Sequence, residues 1–120
     1  MCSPVARVVV LFVAVAAIVI PAVVLRAEPR PYVVTAIDYH FHDAHPTFPI
    51  APGRDLVVKN VGRNRHNVSI PALNFSRDVA PDRQLTIEDI GSRLGAGRYE
   101  LICRIHLDRG MTGVIVIAAG

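Results

Sequence analysis

The chain has 120 residues, room for one domain, and a formal net charge of +3. Two of the three surplus charges lie in the first 30 residues, where Arg7, Arg26 and Arg30 outweigh Glu28, while residues 31–120 hold ten basic and nine acidic side chains. That balance excludes a basic nucleic-acid-binding domain, and the 52% apolar content is inflated by one N-terminal run.

The run is Val8 to Leu25, "VVVLFVAVAAIVIPAVVL", with no charged or hydrogen-bonding side chain. As a helix rising about 1.5 Å per residue it reaches roughly 27 Å, close to the thickness of a bilayer core. With Arg7 ahead of it, residues 1–30 read as an export signal or transmembrane anchor helix plus a short linker. Residues 31–120 are then the domain left outside the cytoplasm. Cleavage after Ala27 would put Leu25 and Arg26 where small residues are wanted, so an uncleaved anchor through residues 8–25 is favoured. The expected location is extracytoplasmic, periplasmic or cell-surface. "RAEPRP", Arg26 to Pro31, is too short to carry the domain far from the membrane.

Beyond residue 31 the pattern is β throughout. Tyr32 to His42 alternates late, placing Tyr39 and Phe41 on one face and Asp38, His40 and His42 on the other. Pro52-Gly53 marks a turn, Leu56 to Val61 a strand, "GRNR" a turn, and His66 to Ile70 a short strand. Ala72 to Pro81 reads as loop, Arg83 to Ile90 as strand and "GSRLGAG" as turn. Arg98 to Ile105 alternates so that Tyr99, Leu101 and Cys103 share the core face, and Thr112 to Ala119 is a last strand apolar on both faces. Short strands punctuated by Gly, Pro and Asn over 90 residues argue for an antiparallel sandwich or small barrel.

Cys103 is the only cysteine after residue 30, so a disulfide within the exported domain is impossible. A lone thiol in an oxidising compartment is a liability unless it is buried or ligated. Here it stands in "CRIHLDRGM", with His106 three residues on and Met111 five beyond that. Thiolate, imidazole and thioether suit copper in a redox role, and two histidines, one cysteine and a weak axial methionine describe a blue-copper site. The second histidine is best supplied by His66, at the start of a strand just after the "NVGRNR" turn.

The spacing Cys-x2-His-x4-Met, preceded by "GRYELIC" and followed by "GVIVI", resembles the C-terminal half of the plastocyanin-like cupredoxins. "PGRDLVVKNVGRNRHNVSIP" resembles their upstream turn, strand and first-histidine segment. The likeness spans about residues 32–119. It implies an all-β, Greek-key β-sandwich of the cupredoxin type holding one type 1 copper ion. His66, Cys103 and His106 are then equatorial ligands and Met111 the axial one. Asn67 would hydrogen-bond near the Cys103 sulfur and tie the two ligand loops together. The loop departs from the family at Ile105, where a proline is common, and at Arg104, Asp108 and Arg109, where plastocyanins are mostly small and polar.

The expected function is an exported, non-enzymatic electron carrier cycling Cu(II) and Cu(I) between redox partner proteins through the edge of His106, and a monomer. The alternative is a copper protein for delivery, buffering or resistance without electron transfer. A copper enzyme is disfavoured because Ile102 and Arg104, rather than histidines, flank Cys103. Arg63, Arg65, Arg104 and Arg109, with Leu107, form a candidate docking rim for an acidic partner. His40, His42 and His45 form a candidate weak second metal site, more simply read as a solvent-facing strand edge. Because they precede the Pro52-Gly53 turn, they are expected near the end of the sandwich opposite His66.

Overall fold

A computed structural model describes residues 10–19, 21, 29–45 and 48–120. Parts of the expected apolar helix, residues 8, 9, 20 and 22–25, lie outside the described residues. Residues 10–19 are exposed and carry no regular secondary structure. Among the described residues no helix is long and apolar enough to cross a membrane.

The rest of the chain is β1 (Tyr32–Ile37), β2 (His40–His42), β3 (Leu56–Asn60), β4 (His66–Ile70), β5 (Phe75–Val79), β6 (Gln84–Ile87), α1 (Ile90–Arg93), β7 (Gly97–Ile102) and β8 (Thr112–Ile117). The strands build two four-stranded sheets, in the orders β2-β1-β3-β6 and β5-β4-β7-β8. β-Branched and aliphatic side chains on their inner faces close a single core. Val34, Leu56 and Val58 from the first sheet and Val68, Ile70 and Leu101 from the second are wholly buried. Each such side chain contributes roughly 1.5–3 kcal/mol relative to an exposed one.

Three features differ from the sequence reading. The long first strand breaks at Asp38-Tyr39, and β2 folds back antiparallel on β1, pairing Ile37 with His40 and Thr35 with His42. β1 pairs with β3 in parallel, from Tyr32 opposite Leu56 to Ala36 opposite Asn60, so the sheets are not wholly antiparallel. The segment read as loop contains β5, paired along its length with β4. Its Ser76, Arg77 and Asp78 are exposed because β5 is an edge strand, and that hides the alternation.

The parallel pairing decides where the site is built. β1 and β3 run towards the same end of the sandwich and deliver Asp38 and Asn60 there together. At the other end the Pro52-Gly53 turn needs the positive φ of Gly53 (82°), whose N–H donates to Asp89 Oδ1 at 3.0 Å.

Candidate metal centre

His66 is delivered by the turn that follows β3, and Asn60 shapes that turn. Its buried amide donates to the carbonyls of Asn64 (2.8 Å) and Val79 (2.9 Å), while its Oδ1 accepts the Gly62 N–H (2.9 Å). The turn therefore cannot drift relative to either sheet, and His66 enters β4 fully buried.

The loop from Cys103 to Met111 is closed by its own backbone. Cys103 N–H donates to Met111 O (3.0 Å), Met111 N–H to His106 O (3.3 Å), and His106 N–H to Cys103 O (3.3 Å). Cys103 and Met111 are wholly buried, whereas His106 is half-buried with one edge towards solvent. β7 ends at Ile102, so Cys103 lies just past the strand rather than within it.

The two loops bring three donors together. His66 Nδ1 lies 3.2 Å from His106 Nδ1, and His106 Nδ1 lies 3.6 Å from Cys103 Sγ. One ligand atom from each of His66, Cys103 and His106 falls within 4.8 Å of the others, and among the described residues this is the group of three that forms. Two imidazole nitrogens and a thiol sulfur facing one another have no fixed donor–acceptor scheme among themselves. As a donor set they fit a single type 1 copper ion.

Asp38 fixes the first of these nitrogens. Its Oδ1 is 2.7 Å from His66 Nε2, and a carboxylate only accepts, so the imidazole proton sits on Nε2 and Nδ1 is left bare towards the cluster. The Asp38 carboxylate also takes the N–H groups of Arg63 (2.9 Å) and Asn64 (3.4 Å), which ties the break between β1 and β2 to the turn carrying His66. Nothing in the local sequence marks this residue, which lies 28 positions before the histidine it orients.

Charge follows from these contacts. The Arg63 N–H bond, foremost, holds the Asp38 carboxyl below its ordinary value. Burial, foremost, pushes His66 below the usual imidazole value, with Asp38 opposing it. In the unfolded chain His66 takes a proton near pH 6.5, while in the folded chain it stays neutral to lower pH. The unfolded state thus binds more protons, and stability falls as pH drops below about 6.5. A further loss follows as pH falls from the ordinary carboxyl value near 3.9 through the lowered value of Asp38. Urea midpoints of the metal-free chain should decline between pH 7.5 and 5, and His66→Gln should flatten that upper part of the profile.

Asn67 connects the two loops. Its backbone N–H points at Cys103 Sγ (3.3 Å), and its Oδ1 accepts from Arg104 N–H (3.3 Å) and Ser69 Oγ (2.6 Å). Its Nδ2 donates to Ser76 Oγ (3.1 Å) and Asp78 Oδ1 (2.9 Å), both on β5. Asn67→Ala would strand these partners, at a cost of about 2–3 kcal/mol measurable as a lower urea midpoint.

Tyr39, read from sequence only as a face neighbour of Phe41, packs edge-on against His106 with ring centres 4.7 Å apart. The Arg109 guanidinium carbon lies 4.4 Å from the centre of the Tyr39 ring, so Arg109, although exposed, is held against the tyrosine. Arg65 faces Asp78 at 3.8 Å. Ile105 and Leu107 are exposed at 45% and 49%, which leaves an apolar collar beside His106. The histidine-rich segment is not at the far end. His40 directly follows the turn carrying Asp38 and Tyr39 into the site, and Ala44 accepts the Val114 N–H near the start of β8. The expectation failed because β1, like β3, runs towards the site. His45 packs against Phe48, ring centres 6.2 Å apart.

No family model and no curated protein sequence matches the chain. Solved structures do. A fern plastocyanin variant, described in oxidised and reduced forms, is 13% identical with a TM-score of 0.58, covering 72% of this chain and 100% of its own. A reduced amicyanin variant is 17% identical at 0.58, covering 73% and 82%. A copper-containing nitrite reductase from Thermus scotoductus is 19% identical at 0.62, but only 24% of that chain is spanned. The fold of this chain is therefore that of the plastocyanin and amicyanin cupredoxins, and at one end of it stands a His-Cys-His cluster that fits a blue copper ion.

Proposed function

We propose that the chain is a blue-copper electron carrier, exported and held at the cytoplasmic membrane by residues 8–25, and working as a monomer. The observation that carries this reading is the convergence of His66 Nδ1, His106 Nδ1 and Cys103 Sγ at one end of a cupredoxin sandwich. His66, Cys103 and His106 hold the ion, and Met111, buried at the closure of the same loop, supplies a weak fourth contact. Copper bound there supplies a one-electron couple. The protein contributes a set of ligands fixed before metal arrives, which keeps rearrangement on electron transfer small. Asp38 holds the His66 tautomer, Asn67 binds the loops to each other, and the buried sulfur is kept from water.

Electrons enter and leave by the exposed edge of His106, and Ile105 and Leu107 around it offer apolar contact to a redox partner. Arg63, Arg65, Arg104 and Arg109 make the rim basic, which favours an acidic partner. Arg104→Glu together with Arg109→Glu should slow association with such a partner by about tenfold at low salt, with the difference vanishing at high salt. Stopped-flow electron-transfer rates across ionic strength measure this.

The reading is tested by adding Cu(II) to the detergent-solubilised full chain and recording visible and EPR spectra. An intense thiolate-to-copper band with a narrow copper hyperfine splitting is expected, and its absence would sink the proposal. A delivery or buffering role is favoured instead if copper binds but exchanges rapidly and supports no electron transfer.

A further inference from the structure

The edge strand β2 carries two histidines that the copper site does not use. His40 and His42 alternate with the buried Phe41, so both imidazoles leave the sheet on its solvent face, and both residues are exposed. Their ring centres lie 6.1 Å apart at 76°. Two imidazoles on one ion, each with a nitrogen about 2.0–2.1 Å from the metal, have centres roughly 4.5–6.5 Å apart. The pair therefore needs little more than side-chain rotation to close on a cation.

Its surroundings are built rather than loose. The Asp43 carboxylate stands 3.8 Å from His42 Nε2, where it can orient that ring or add an oxygen donor. Asp43 is itself pinned, because the Tyr32 hydroxyl donates to its backbone carbonyl at 2.7 Å. β2 is locked to β1 through three register positions, which fixes the spacing of the two histidines. The side chains placed here offer imidazole and carboxylate donors.

We propose that His40 and His42, with Asp43 beside them, form a second, exchangeable binding site for a borderline divalent cation, Cu(II) foremost. Imidazole donors on an open strand edge take Cu(II) most strongly among the first-row divalent ions and leave most of its coordination sphere to water. Such an ion is held reversibly in its oxidised state, unlike one enclosed with a thiolate. The other account of an exposed histidine pair on an edge strand is that polar side chains there only discourage edge-to-edge pairing.

Titration with Cu(II), followed by EPR and equilibrium dialysis, separates the two accounts. It is run on the full chain, on the His40→Gln plus His42→Gln variant, and on Cys103→Ala. The full chain is expected to bind, beside the blue-copper ion, a second equivalent of Cu(II) with a wide hyperfine splitting and no thiolate band of its own, and Cys103→Ala is expected to keep that second equivalent. In the double variant this binding should weaken by more than about tenfold while any thiolate band is kept. Equal wide-splitting binding in the double variant and the full chain would overturn the proposal. Because the thiolate band depends on Cys103 and the wide-splitting equivalent on His40 and His42, failure of the histidine pair and failure of the blue-copper reading give different spectra.

Discussion

Cys103→Ser should abolish the thiolate-to-copper absorption band completely and weaken Cu(II) binding at the His66–His106 cluster by more than about 100-fold. The sulfur is fully buried and is the one thiol among the converging donors. A hydroxyl is a harder and far less acidic donor, and Met111, as a thioether, cannot supply the missing negative charge. The fold should survive, since a serine hydroxyl can inherit the Asn67 N–H that Cys103 Sγ now accepts at 3.3 Å. Urea unfolding of the metal-free variant controls for that. A visible band that persists in the variant would mean that some other group, not Cys103, binds the copper.

The parts of this centre that lie close together in the chain were legible from sequence. Cys103 and His106 stand three residues apart on one loop, and His66 announces itself at the start of a strand after a Gly- and Asn-containing turn. What was not legible depends on pairing between distant segments. Asp38 reaches His66 only because β1 runs parallel to β3, and a hydrophobic pattern shows alternation but not direction. The same missing fact put the histidine-rich segment at the wrong end. β5 was invisible because an edge strand with Ser76, Arg77 and Asp78 outward looks like a polar loop. With it went Ser76 and Asp78, which hold the Asn67 side chain. Residues able to bind a metal are recognised by chemical type, whereas the residues that orient them are placed by topology.

Gly62→Ala is expected to have the second largest effect, although Gly62 donates no ligand. A Cβ built there collides with Asp38 Oδ1 and comes within 3.0 Å of His66 Nε2. The carboxylate has little freedom to retreat, because it holds His66, Arg63 and Asn64 at once. Nor can the turn swing away, since the Gly62 N–H is bound to Asn60 Oδ1 at 2.9 Å. Relieving the overlap must therefore break the Asp38–His66 contact or shift the turn that carries His66. Overpacking of this kind costs about 1–3 kcal/mol, seen as a lower urea midpoint. Loss of the contact that fixes the His66 tautomer should also weaken Cu(II) binding by about 10–100-fold. A double-mutant cycle with Asp38→Ala tests the cause. If the clash with the carboxylate is responsible, Gly62→Ala should cost much less in the Asp38→Ala background than alone. Equal costs in both backgrounds would place the damage in the backbone of the turn or in the contact with His66 Nε2, and remove Asp38 as the element linking Gly62 to the candidate metal centre.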